Sequence, residues 1–268
     1  MEPFHLRQLS FSLSALLALN VLTLASRARS ALSADEVVQE AVAHAVRSSQ
    51  TAYSYTKTSV IEQIDPAGKI KDHTERVYQI LFRAGAASAK LLEVNGHPPA
   101  APDLKRQTEN DTNARQVLGQ SKAARIENWE NFLTPDLVAR FDFKLLGQTN
   151  INGRAAYYLQ FQPKSPELPV HKIMDRLLNR LSGAIWIDVN EFEVTRAEIR
   201  LGSEVDLLWG VIGCLKRFDY VLTRTRVADG IWLNSLSIGD FEGRKLFDPL
   251  RIKLKTQSSN FRPVAQKG

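Results

Sequence analysis

The chain has one cysteine in 268 residues, Cys214, so it can close no intrachain disulfide and build no multi-cysteine metal site. No cysteine follows the N-terminal apolar run, which excludes the acylated cysteine of a bacterial lipoprotein anchor. The five histidines, at positions 5, 44, 73, 97 and 171, stand far apart, and none has the spacing of a His-Glu-x-x-His pair. No serine sits in a Gly-x-Ser-x-Gly elbow. The stretch from Gly147 to Gly153 lacks the Gly-Lys-Ser/Thr ending and the following helix of a phosphate loop. Carboxylates such as Asp188 and Glu198 have arginines such as Arg196 beside them, which makes them strand ion pairs before they are a catalytic dyad. These absences leave no acid-base set, nucleophile, cofactor site or metal site to expect, and so no enzyme.

A long basic run is missing as well. The formal charge is +6, but the basic residues are strewn among carboxylates and form no basic-aromatic motif, so they read as a solvated surface and not as a nucleic-acid footprint. A hydrophobic content of 44% beside 24% charge is that of a globular chain. At this length an all-β sheet is ordinarily one domain.

Met1 to Ser30 has the layout of a secretory signal. Arg7 supplies positive charge, Phe11 to Ala25 an apolar core, and Ala28 and Ser30 the small residues that a signal peptidase reads. Cleavage there would remove Arg7, Arg27, Arg29 and Glu2 and take the formal charge from +6 to +4. Residues 31–268 then form the mature domain. Ser33 with Glu36 makes a capping box for a helix to Ser49, whose Val37, Val38, Ala41, Val42, Ala45 and Val46 share one stripe.

From Thr51 the texture is that of strands. Thr51 to Ile64 and Lys69 to Arg83 flank the turn Asp65-Pro66-Ala67-Gly68, and Ser88 to Val94 stops at Asn95-Gly96-His97-Pro98-Pro99. Residues 100–133 are a polar interlude with helix-compatible patches at Asp103 to Leu118 and Ala123 to Leu133. Thr134-Pro135 starts a short helix, threonine as cap and proline in the first turn. Phe141 to Gln148 and Arg154 to Pro163 make a hairpin, and the period predicts a further helix over Leu168 to Leu181, a lid for the apolar face. Ser182 to Leu201 holds a central hairpin, with Ile185, Ile187 and Val189 opposite Ala184, Trp186 and Asp188. Val205 to Leu215 is a dense apolar run with Gly210 and Gly213. Strands at Leu215 to Val227, Ile231 to Asp240 and Lys245 to Ser259 close the chain, turned at Ala228-Asp229-Gly230 and at Glu242-Gly243. About ten strands joined by short turns favour an antiparallel sheet.

In this order the sequence resembles the LolA/LolB-like superfamily of exported lipoprotein and lipid carriers, which also takes in the N-terminal part of the sigma-factor regulator RseB. The resemblance lies in the helix after the export signal, the tyrosine-rich first hairpin, Leu91 to Gly96, and Gly147 to Leu159. Gly183 to Asp188 with Phe192 to Arg196, and Asp229 to Leu233, complete it. The carriers often place an Arg-Pro after the second long strand; here Arg83 is followed by Ala84, so the arginine corresponds and the proline is missing. The resemblance implies a mainly β (α+β) fold, a strongly curved antiparallel half-barrel with helices covering its concave face. It implies a periplasmic, non-enzymatic carrier or binder that holds lipoprotein acyl chains or lipid in a hydrophobic cavity, with an envelope lipid-sensing regulator or protein-binding scaffold as the alternative. The expected cavity lining is Tyr157, Leu159, Phe161, Leu177, Trp186, Leu207, Leu208, Trp209 and Arg83, with Tyr157 and Trp186 both facing the helices. The expected partners are lipid and an envelope membrane protein, the chain itself being a monomer.

Overall fold

A computed structural model describes residues 32–48, 52–83, 86–117, 133–171, 173–206, 213–245 and 248–264. The fold is that of the unit Ala34–Gly268. It is mainly β. Ten strands make one curved antiparallel sheet: β1 (Tyr53–Ile64), β2 (Ile70–Arg83), β3 (Ala86–Val94), β4 (Phe141–Ile151), β5 (Arg154–Pro163), β6 (Leu181–Asp188), β7 (Val194–Leu201), β8 (Cys214–Ala228), β9 (Ile231–Lys245) and β10 (Asp248–Pro263). Among the described residues four helices accompany it: α1 (Ala34–Ser48), α2 (Ala101–Val117), α3 (Pro135–Val138) and α4 (Ile173–Leu178). Among the described residues no helix is long and apolar enough to cross a membrane.

The strand order is β3-β2-β1-β10-β9-β8-β7-β6-β5-β4. Two runs of neighbouring hairpins are thus joined where β1 pairs with β10, with Ile61 opposite Leu254. The sheet does not close, because β3 and β4 are its two edges. The hairpin turns follow from their sequences: Gly68, Gly153 and Gly230 have φ of 83°, 83° and 67°, a left-handed conformation that a side chain disfavours. Asn150 Oδ1 accepts from Gly153 N at 2.8 Å, and Asp65 Oδ1 from Lys69 N at 2.8 Å, so each turn is closed by its own polar side chain.

The pairings sort the side chains into two faces, since residues directly opposite in a ladder point the same way. One face carries a row that runs in register across eight strands: Ile61, Leu254, Gly239, Tyr220, Ile199, Gly183, Phe161 and Phe143. A parallel row holds Leu222, Ala197, Ile185, Leu159 and Leu145. The other face is charged at the same level. Arg200, Asp219, Asp240, Lys253, Glu62 and His73 stand in one row. Two aspartates directly opposite would repel. Asp219 and Asp240 are instead bracketed by arginines, Arg217 Nε at 2.5 Å from Asp219 and Arg251 at 3.1 Å from Asp240.

Two expectations from the sequence are corrected. Leu168 to Leu181 is not one helix: α4 covers Ile173–Leu178 alone, because Pro169 offers no N–H to a helix and Leu181 is drawn into β6 opposite Leu201. Asp175 caps the shortened helix by accepting from His171 N at 2.9 Å. Glu242-Gly243 is not a turn either, for both residues pair inside β9, which runs to Lys245. Glycine is needed at 243 because a Cβ there would lie 2.2 Å from the Cys214 carbonyl oxygen of β8. The patch Ala123 to Leu133 lies outside the described residues except for its last residue, Leu133, which is buried.

Candidate functional site

The apolar face divides into a roofed half and an open half. Over β4 to β7 it is filled. Leu159, Ile185, Ile187 and Ala197 have no exposed surface, and Phe161 has 4%. Leu133, Leu137 of α3 and Leu178 of α4 lie against Phe141, Phe143, Phe161, Leu181, Ile185 and Ile199, and the apolar gap left between them is about 50 Å³. That is small beside the roughly 300–1,000 Å³ of ordinary small-molecule sites. α1 touches β4 and buries Val37, Val38, Ala41 and Val42. Gly183 lets β7 approach β6 here, since a Cβ would stand 1.9 Å from the Glu198 carbonyl oxygen.

Beyond β7 the same face continues across β8, β9, β10 and β1. Phe218, Tyr220, Phe241, Ile252, Leu254 and Ile61 are each only half-buried. Phe218 and Phe241 meet edge to face with centroids 5.1 Å apart, and Phe218 lies 6.1 Å from Tyr220. Gly239 has no side chain under this group, which leaves room for the Phe241 ring: a Cβ at 239 would meet its Cε2 at 2.5 Å. These residues form a contiguous aromatic and aliphatic strip, half-buried, beside the filled core.

The residues expected to line a cavity fall into three groups. Tyr157, Leu159 and Phe161 share the apolar face, buried in its roofed half, and Leu177 is half-buried on α4. Tyr157 stacks on Phe192 at 6.2 Å, which helps to hold Phe192 at a φ of 52°. Trp186 is on the opposite face, which corrects the expectation that it faces the helices with Tyr157. The register pairs Trp186 with Tyr158 and leaves Tyr157 opposite Ile187. Trp186 stacks on Tyr158 with centroids 4.9 Å apart, and the Arg196 guanidinium lies 5.6 Å from the Trp186 centroid. Leu207, Leu208 and Trp209 lie outside the described residues; Arg83 ends β2, and its side chain lies outside them too.

Two charge networks flank the central hairpin; the sequence predicts an ion pair at Asp188, but its arginine is Arg154. Under α1, the buried Arg224 donates to Glu193, to the Val194 carbonyl at 3.4 Å and to the Trp232 carbonyl at 2.6 Å, while His44 Nδ1 lies 3.1 Å from the other Glu193 oxygen. At the end of β6, Arg154 grips Asp188 with two bonds of 2.6 and 3.0 Å, and Asn190 N and Glu191 N donate to the same carboxylate. Burial pushes the Asp188 carboxyl up, but Arg154 and the two backbone N–H groups outweigh it and hold it below the usual carboxylate range. Glu191 is likewise pushed up by burial and brought below its ordinary value by Arg226 and the Trp232 indole N–H. Each of these carboxylates is met by an arginine, while Arg224 Nε is buried without a hydrogen-bond partner. Burial and the Glu204 carboxylate raise the Cys214 thiol above its ordinary value, and Sγ donates to Glu204 at 2.7 Å, so it is held as an unreactive thiol. The signal for all three was the presence of the charged residues beside strand ends; their pairing needed the fold.

No family model and no curated protein matches the chain. Similar solved structures include a DUF1329 family protein from Desulfovibrio piger, 17% identical over 87% of this chain and 94% of that one, with a TM-score of 0.38. A LolA superfamily protein from Nitrosomonas europaea is 11% identical over 88% of this chain and 96% of that one, with a TM-score of 0.33. The MucA/MucB complex of Pseudomonas aeruginosa gives 12% identity over 86% of this chain and 99% of that one, with a TM-score of 0.26. Scores of this size do not carry a ligand or an activity over to this chain.

Proposed function

We propose that the chain is an exported, non-enzymatic binder or carrier of acylated ligands, lipoproteins or lipids, working in the periplasm after loss of residues 1–30. One observation carries the reading: the half-buried strip of Phe218, Tyr220, Phe241, Ile252, Leu254 and Ile61 continues the filled apolar face in register with it. A hydrocarbon chain laid on such a strip gains roughly 0.8 kcal/mol per buried CH₂, so affinity needs no dedicated polar residue. This accounts for a site without a motif. The ligand lies on the open half and not under α3 and α4, where the gap is about 50 Å³.

A regulatory or protein-binding scaffold on the same fold is the second reading, and the closely filled half over β4 to β7 favours it. Native mass spectrometry of the gently purified mature chain separates the two. Co-purifying acyl species, or uptake of added diacyl lipid at a ratio of about one, is the expected result; a chain that stays bare at saturating lipid belongs to the scaffold reading.

A further inference from the structure

At one rim the apolar strip runs into a charged cavity. Leu215 stands opposite Gly243, and Gly243 opposite Leu250, which places Leu215 and Leu250 on the face of Phe241 and Ile252. Val205 is bridged to Leu215 by reciprocal backbone bonds of 2.9 Å. Val205 also walls a cavity of about 290 Å³ between Glu204 to Asp206, which follow β7, and the end of α4, lined by Glu204, Asp206, Glu167, Arg176 and Arg180 among others. The polar cavity and the apolar strip therefore share the Val205–Leu215 bridge as a common sill.

The charges of the cavity do not all cancel. Arg180 is paired with Glu167. Glu204 accepts from Cys214 and lies 3.9 Å from Arg244. Arg176 and Asp206 have no ion-pair partner among the described residues, and both are exposed at the cavity. A ligand that carries only an anion would satisfy Arg176 and face Asp206; a cation would do the reverse. A group bearing both signs satisfies the two together.

Resting on the acyl-binding reading, we infer that this cavity takes the zwitterionic headgroup of an amphiphile, a phosphoethanolamine. Its phosphate sits at Arg176, where a guanidinium matches phosphate oxygens, and its ammonium at Asp206, to which it donates hydrogen bonds. The acyl chains leave over Val205 and Leu215 onto the strip of Phe218, Phe241 and Ile252. A volume of 290 Å³ is at the low end for small-molecule sites, which suits a headgroup and not a whole lipid. A choline head carries the same charges but no N–H, so it cannot make the Asp206 bonds.

The test is binding of four lipids with identical acyl chains, phosphatidylethanolamine, phosphatidylcholine, phosphatidylglycerol and diacylglycerol, to the mature chain by displacement of a fluorescent fatty acid. Phosphatidylethanolamine is expected to bind about tenfold tighter than the other three. Asp206→Asn should erase its advantage over phosphatidylglycerol, and Arg176→Gln should lower it to the level of diacylglycerol, with diacylglycerol binding unchanged in both. Both positions are exposed, and unchanged melting curves confirm that the variants fold. Equal binding of all four lipids, or a preference that survives both substitutions, overturns the headgroup site and leaves the acyl site standing. Failure of every lipid, diacylglycerol included, removes the acyl site and the headgroup inference with it.

Discussion

His44 of α1 and Glu193 at the entrance to β7 share a hydrogen bond of 3.1 Å, so the first helix is fastened to the sheet through one buried carboxylate. The same carboxylate is paired with Arg224, and both members of that pair are almost wholly inside. Removing one partner strands a charge, while removing both does not. Arg224→Met is expected to cost on the order of 3 to 5 kcal/mol, and Arg224→Met with Glu193→Leu to recover a large part of it. Urea unfolding of both single variants and of the double variant measures the coupling, and strictly additive losses would contradict the pairing.

The Arg154–Asp188 lock makes stability depend on acid. Because the folded Asp188 carboxyl titrates below its ordinary value, its contribution is complete above the usual carboxylate range, ~3.9, and is lost as pH falls through the lower folded value. Asp188→Asn should therefore lower stability at pH 7 by about 2 kcal/mol. The gap from the unsubstituted chain should narrow as the pH falls below the ordinary carboxylate range and close once it passes below the depressed folded value, where both carry a neutral group. A gap that stays constant from pH 7 to pH 2.5 would show that the charge is not what the arginine holds.

Gly183 and Gly68 are glycines for different reasons, and alanine distinguishes them. At 183 the added Cβ meets backbone at 1.9 Å, which no side-chain rotation relieves. At 68 there is open space and only the left-handed φ of 83° to object. Gly183→Ala is expected to cost about 3 kcal/mol or to block folding, and Gly68→Ala about 1 kcal/mol. Thermal melts of the two variants suffice, and equal losses would be inconsistent with the close approach of β6 and β7.

The two faces of the sheet make opposite demands on lipid binding. Leu254→Glu, on the open apolar strip, should weaken fatty-acid binding by roughly tenfold or more. Trp186→Phe, on the other face, should leave it unchanged. Displacement of a fluorescent fatty acid reads both. If Trp186→Phe abolished binding while Leu254→Glu did not, the ligand would have to lie on the charged face.

The mature chain should begin at Ala31, because the apolar core ends at Ala25 and small residues occupy 28 and 30. N-terminal sequencing of the exported protein decides this. Met1 retained in a membrane fraction would mean an anchor.

Much of this could be read without a fold. The helix at Ala34–Ser48, the turns at Gly68, Gly153 and Gly230, and the apolar side of β5 are set by residues a few positions apart, through caps, left-handed glycines and a period of two. The mainly β sheet follows from counting such strands. What no local pattern contains is which strands become neighbours and in what register. Trp186 alternates correctly within its own strand, yet it pairs with Tyr158 and not Tyr157, and a shift of one residue would have turned it to the other face. Gly243 carries the signature of a turn and is instead the gap through which β9 approaches the Cys214 carbonyl. The union of Ile61 with Leu254, which makes one sheet of two hairpin runs, joins residues from opposite ends of the chain. Such pairings are decided by the area that all ten strands bury together, a quantity that belongs to the assembled face and to no segment of it.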